Sequence, residues 1–225
     1  MCFSAEASFT AAAVLIPAGV LSMVRADKTD RRYVPIAALP LFFGLQQAFE
    51  GMVWMADGNV VLVERFSFAY MFFSWLAWPI WVPFSVYFLE PKQRKPLYLV
   101  LAILGGMIGA MQYFPYFAHD GWLTTEFLPH VIVYSGKELF DYIIGRTTTY
   151  SIYVAVVVGS LLLSSDANIR IFGMLVAAVT VVTYVFFSYA YISVFCFGGA
   201  VMSLYLVWMI FGDGRQLSMA TRNAS

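Results

Sequence analysis

Seven apolar runs, each close to the length of a membrane crossing and separated by short polar intervals, leave this chain few folds to choose from. A helix that crosses the hydrocarbon of a bilayer needs about 20 mostly apolar residues. On that measure helices are predicted near residues 5–24, 33–56, 64–89, 97–117, 148–165, 170–188 and 191–211. The fifth and sixth are short, and the connection at 188–192 is tight. Composition agrees: 61% of the 225 residues are apolar and 12% are charged, against roughly 25% charged in soluble domains. The fold class expected is an all-α membrane protein, a bundle of seven transmembrane helices. Residues 1–211 form it as a single unit, and 212–225 are a short polar cytoplasmic tail.

Orientation follows from the basic residues, which gather on the cytoplasmic side of membrane proteins. Arg25, Lys28, Arg31, Arg32, Lys92, Arg94, Lys95, Arg170, Arg215 and Arg222 fall on one side, and Arg65, Lys137 and Arg146 on the other. Ten against three puts the N-terminus outside and the C-terminus in the cytoplasm of a multi-pass cell-membrane protein. The first helix does not read as a cleaved signal, because Glu6 precedes its apolar run and its positive charges follow it. No h-region precedes Cys2, so the Met-Cys start is not a lipoprotein signal.

The one long loop, 118–147, lies on the outer side between the fourth and fifth helices. Residues 130–134 and 141–144 are short and rich in Val, Ile and Tyr, the pattern of a β-hairpin cap. An interfacial helix over 137–145 competes equally.

Ionisable groups inside a bilayer are costly and usually face a bundle interior or a cavity. Glu50 is the clearest case, with Gln46, Gln47 and Trp54 three or four residues away on one helical face. A second stripe in the third helix, Ser67, Tyr70, Ser74, Trp78, Trp81 and Ser85, keeps helical spacing over five turns. Pro79 and Pro83 should loosen that helix and free carbonyls. Thr180, Tyr184 and Ser188 repeat the pattern more weakly in the sixth. Gly105, Gly106 and Gly109, and Gly199 with Ser203, have the small-residue spacing of close helix contacts. Glu50, Gln46, Gln47, Trp54 and Tyr70 are the candidate ligand-binding residues. A buried glutamate satisfied by two glutamines, serving only to hold helices together, is the alternative.

Both cysteines and both histidines fall on the outer side. Cys2 and Cys196 have three readings: a disulfide, two unrelated buried thiols, or soft metal ligands. With His130 and Glu6 they form the candidate metal set for zinc or copper. Loop residues of this kind are also ordinary, and two histidines are too few for a histidine-based catalytic site.

The opening Met1-Cys2-Phe3-Ser4-Ala5 with Ser8-Phe9, the Gln46-Gln47 and Glu50-Gly51 element with Trp54, Ser164-Ser165 with Ile171-Phe172-Gly173, and Ser193 to Phe197 resemble an uncharacterised family of bacterial seven-helix membrane proteins. The resemblance spans nearly the whole chain. It implies the topology and a bacterial source, and it carries no activity.

Retinal proteins need a lysine in the last helix, which this chain lacks. Seven-helix ceramidase-type hydrolases need several intramembrane histidines, and no predicted span has one. No nucleotide-binding motif suggests a pump, and zero net charge gives no reason to expect nucleic acid. The partners expected are the lipid bilayer and a small-molecule or metal ligand from the outer side. No cofactor or oligomeric state can be named. The best reading is an outer-facing binding or sensing bundle. A metal- or thiol-dependent membrane enzyme and a small transporter are the alternatives.

Overall fold

The computed structural model describes residues 4–119, 121–137 and 139–223, without the side chains of Asp141 and residues 213–223. Among the described residues seven long helices run up and down. They are α1 (Ala5–Thr29), α2 (Arg31–Met55), α3 (Val60–Tyr87), α4 (Lys95–Ala118), α5 (Arg146–Leu162), α6 (Ala167–Phe186) and α7 (Tyr191–Asn223). All but α5 contain a stretch long and apolar enough to cross a membrane. Helix α5 has 17 residues, about 26 Å at 1.5 Å per residue. The belt around the bundle is apolar, with Leu21, Ile103, Met107, Met174, Val181 and Val185 all exposed.

The caps are legible in local chemistry. Ser4 accepts from the Ala7 amide at the start of α1, Asn59 from Leu62 at α3, and Asp166 from Asn168 and Ile169 at α6. Each satisfies amides that the first helical turn leaves without a partner. Asp30 closes the bend between α1 and α2 by accepting from the Arg32 amide and guanidinium. That pairing holds the Asp30 carboxyl below the usual carboxylate range.

Helix α3 is not uniform. Phe72–Ala77 is a π-helical stretch, followed by Pro79. The Trp78 amide reaches back to Phe73, and Pro79 has no amide hydrogen to donate. The Ser74 carbonyl is therefore left without a donor from either position. Tyr153 of α5 supplies one, its hydroxyl 2.5 Å from that oxygen.

Glycines set the close approaches. A Cβ at Gly105 would fall 2.1 Å from the Pro79 carbonyl oxygen, and one at Gly109 2.2 Å from that of Trp75, so α4 lies directly on the loosened part of α3. Gly19 sits as tightly on Leu41, joining α1 to α2, and Gly199 on the Phe43 ring, joining α7 to α2.

Between α4 and α5 the chain forms a hairpin, β1 (Leu123–Leu128) antiparallel to β2 (Val131–Gly136), with Leu128 opposite Val131. The hairpin alternative thus holds in altered form. Strand β2 covers the expected 130–134, but its partner precedes it, and 141–144 is not a strand: Leu139–Tyr142 is a 3-10 turn. Val131, Ile132 and Tyr134 are buried against one end of the bundle.

The helix limits differ from the expected ones by a few residues, since charged last turns such as Arg25–Thr29 stay helical. The tail expected from 212 continues α7 to Asn223. The α6 stripe, which shares the spacing of the buried α3 stripe, points outward. Tyr184 is 76% exposed and Thr180 bonds back to Val176 of its own helix, because Phe172, Gly173, Val176 and Thr183 occupy the buried face.

Candidate functional site

Below the hairpin, α2, α3 and α7 bring together Gln46, Gln47, Glu50, Tyr70, Ser74, Ser193 and Cys196, all buried. Spacings of three and four residues set the α2 and α3 groups on single faces. The π-helical stretch lets Ser74 and Trp75 both turn inward beside Tyr70 and Trp78.

Two hydrogen-bonded sets share this interior. In the first, the Trp78 indole donates to Gln46 Oε1 at 3.1 Å. An indole N–H can only donate, which fixes the amide: its nitrogen faces Ser74 Oγ at 2.9 Å and Cys196 Sγ at 3.2 Å. This set is closed. In the second, Glu50 is wholly buried. It accepts from Gln47 Nε2 at 3.1 Å and from the Ser193 hydroxyl. Around it, Gln47 Oε1, Tyr134 Oη and Trp54 Nε1 are buried without a hydrogen-bond partner among the described residues, and the Tyr70 hydroxyl meets the Cys196 thiol. Tyr70 and Tyr134 both lie within electrostatic reach of Glu50 and Cys196.

The hairpin covers this interior. Tyr134 of β2 stacks on Tyr70, rings 4.7 Å apart. Phe127 of β1 meets Trp54 edge-on at 5.8 Å, and Ser67 shares a hydrogen bond with Thr125 at 2.8 Å.

A comparable carboxylate at the opposite end behaves differently. Glu90 accepts from Ser164 Oγ at 2.8 Å, from the Ser165 amide at 2.6 Å and from the Ser165 hydroxyl at 2.7 Å. Arg94 adds an ion pair at 3.4 Å. Arg170 holds the Ser164 and Ser165 carbonyls, and Tyr33 donates to Asp166. Glu90 is a saturated clamp on the α5–α6 turn. The salt bridges of the described residues join Asp27 to Arg31, Asp30 to Arg32 and Glu90 to Arg94, and none reaches Glu50.

Of the five expected ligand-binding residues, Gln46 lies in the first set, Gln47 and Glu50 in the second and Tyr70 between them, while Trp54 lies one turn further along α2 against Phe127. The metal set does not converge among the described residues, where no three His, Cys, Asp or Glu side chains group as metal ligands would. Cys196 is a buried free thiol, His130 is exposed in the turn of the hairpin, and Glu6 is exposed at the start of α1. Cys2 lies outside the described residues. Sequence reasoning missed Ser193, Tyr134, Tyr153 and Glu90. Only Ser193 carried a signal, three residues before Cys196 on the same helix.

A family model described as a family of unknown function (DUF6629) matches residues 1–222. The chain belongs to this family. Both Glu50 and Glu90, and every partner named for them, fall inside the matched range. None of the curated proteins and none of the solved structures matches the chain.

Proposed function

We propose that this is a multi-pass membrane protein with seven crossings and its N-terminus outside, whose outer half binds a small cationic or polar ligand at Glu50. The contrast between its two buried carboxyl groups carries the reading. A purely structural glutamate would be saturated, as Glu90 is by three hydrogen bonds and an arginine. Glu50 has two neutral donors and sits among three polar atoms without partners among the described residues, each of which costs about 1–3 kcal/mol when left unmet. A buried carboxyl group is kept either as the neutral acid or by a cation. Glu50 with the oxygens of Gln47, Tyr70 and Tyr134 offers acceptors, the complement of an ammonium, a guanidinium or a metal ion.

The side assignment rests on the ten-to-three distribution of basic residues, which makes the hairpin end the outer end. The seventh crossing rests on α5, short but packed between α3, α4 and α6. An enzyme reading is less well supported, since Cys196 sits with Gln46, Ser74 and Tyr70, and no cation or imidazole accompanies it among the described residues.

The test is thermal unfolding of purified protein with ammonium, methylammonium, guanidinium and zinc chlorides. At least one should stabilise the native protein and leave Glu50→Gln unmoved. Equal shifts in both proteins, or none in the native one, would overturn the proposal.

A further inference from the structure

We infer that a groove of about 420 Å³ between α1 and α7 is a lipid site, for one acyl chain of a phospholipid whose headgroup carries a primary ammonium. It does not rest on the Glu50 reading, and none of its lining residues belongs to that site.

The groove follows from small residues. Both helices rest closely on α2, α1 where Gly19 meets Leu41 and α7 where Gly199 meets the Phe43 ring. Between them, Ala7 and Ala11 of α1 and Ala200 of α7 are too short to fill the gap. Leu15 and Ala200 form a buried floor, at 2% and 0% exposed. Val14, Val201 and Leu204 stand at the rims, each at least 40% exposed. The groove therefore opens onto the apolar belt of the bundle, whose surroundings are acyl chains.

Its length fits one leaflet. The lining on α1 runs from Glu6 to Leu15, about 13 Å at 1.5 Å per residue. Half of a hydrocarbon core roughly 30 Å thick is about 15 Å. Glu6 sits in the first turn of α1, at the end of the bundle that carries the hairpin. Phe9 packs on Gly51 there, and Trp54, further along α2, meets Phe127. The groove thus begins at headgroup level and ends near the midplane.

Charge selects the headgroup. Glu6 is the one charged residue among those that line the groove, and the ion pairs of the described residues do not include it. Hydrogen bonds from Ser4 and from its own amide use only part of the roughly four acceptor sites of a carboxylate. A primary ammonium donates up to three charge-assisted hydrogen bonds at that height. A quaternary ammonium donates none, and an anionic headgroup is repelled. Thr10, one turn deeper, brings a hydroxyl to where the ester oxygens of such a lipid would lie.

Phosphatidylethanolamine, phosphatidylcholine and phosphatidylglycerol with identical acyl chains separate the possibilities. Each is titrated into the full-length protein in detergent and read by native mass spectrometry. One phosphatidylethanolamine should bind saturably, and the other two lipids about tenfold more weakly or worse. Glu6→Gln changes only an exposed side chain, so it should fold as the native protein does. It should hold the ethanolamine lipid no better than the choline lipid. Ala11→Leu fills the groove and should abolish the saturable adduct, and Glu50→Gln should leave it unchanged. Equal binding of the three lipids by the native protein, the mark of an annular lipid only, would overturn the inference. Undiminished ethanolamine-lipid binding in Glu6→Gln or in Ala11→Leu would do the same.

Discussion

Tyr153 donates its hydroxyl hydrogen to the Ser74 carbonyl at 2.5 Å, satisfying across two helices an acceptor that the π-helical stretch and Pro79 together strip of its own donors. The bond ties α5 to the part of α3 that faces Glu50 and Cys196. Removing it leaves a buried carbonyl unmet. Tyr153→Phe should therefore destabilise the protein by about 1–3 kcal/mol in denaturant titrations. Tyr113→Phe is the comparison. The Phe68 carbonyl that Tyr113 reaches is also bonded by the Phe72 amide, so that loss should be about 1 kcal/mol or less. Equal losses would mean that the Ser74 carbonyl has another donor.

The contact between α3 and α4 makes a sharper test, because neighbouring glycines differ in what they face. Gly105→Ala and Gly109→Ala would drive a methyl into backbone oxygens of α3 and should cost about 1–3 kcal/mol each. Gly106 faces the flexible end of Ile80 at 3.2 Å. Its replacement by alanine should be neutral, or stabilising by up to about 1 kcal/mol through helix propensity. A melting series of the three variants reads this order directly.

These relationships mark where sequence reasoning reached and where it stopped. The stripe from Ser67 to Ser85 was legible because helical period alone aligns it, and all but Trp81 are buried. Trp81 is half-buried with its indole on the Pro35 carbonyl. Glu50 with Gln46 and Gln47 was legible for the same reason. The outward turn of Tyr184 was not legible, since a periodic polar stripe does not say whether it faces protein or surroundings. Partners far along the chain left no local trace: Ser193 lies 143 residues from Glu50, and Tyr153 lies 79 from Ser74. Glu90 sits among charges at a helix end, with no local pattern to set it apart, and its partners come from the α5–α6 turn that closes over it.

That clamp should be stabilising. Glu90→Gln puts an amide where the Ser164 and Ser165 donors and Arg94 need an acceptor. A loss of about 2–3 kcal/mol is expected, the scale of hydrogen bonds to a charged group. Denaturant unfolding of the purified variant checks it, and a loss well under 1 kcal/mol would show the clamp to be dispensable.

Orientation has its own readout. In a background without the native cysteines, Lys137→Cys beside the hairpin should react with a membrane-impermeant maleimide on intact cells. Lys92→Cys, before α4, should react only after permeabilisation. The reverse pattern would place the hairpin end in the cytoplasm.

The Glu50 site is tested most directly by comparing Glu50→Gln with the native protein in stability and in ligand response at once. Functional sites commonly trade stability for activity. The new amide can still accept from Ser193, and once the Gln47 amide turns over it can donate to the Gln47 oxygen that now lacks a partner. The unliganded variant should therefore unfold at the same temperature as the native protein or higher, while the stabilisation by ammonium, methylammonium, guanidinium or zinc chloride disappears. A variant that loses about as much stability as Glu90→Gln, and still responds to the same cations as the native protein, would contradict a ligand site at Glu50 and make it a second structural clamp.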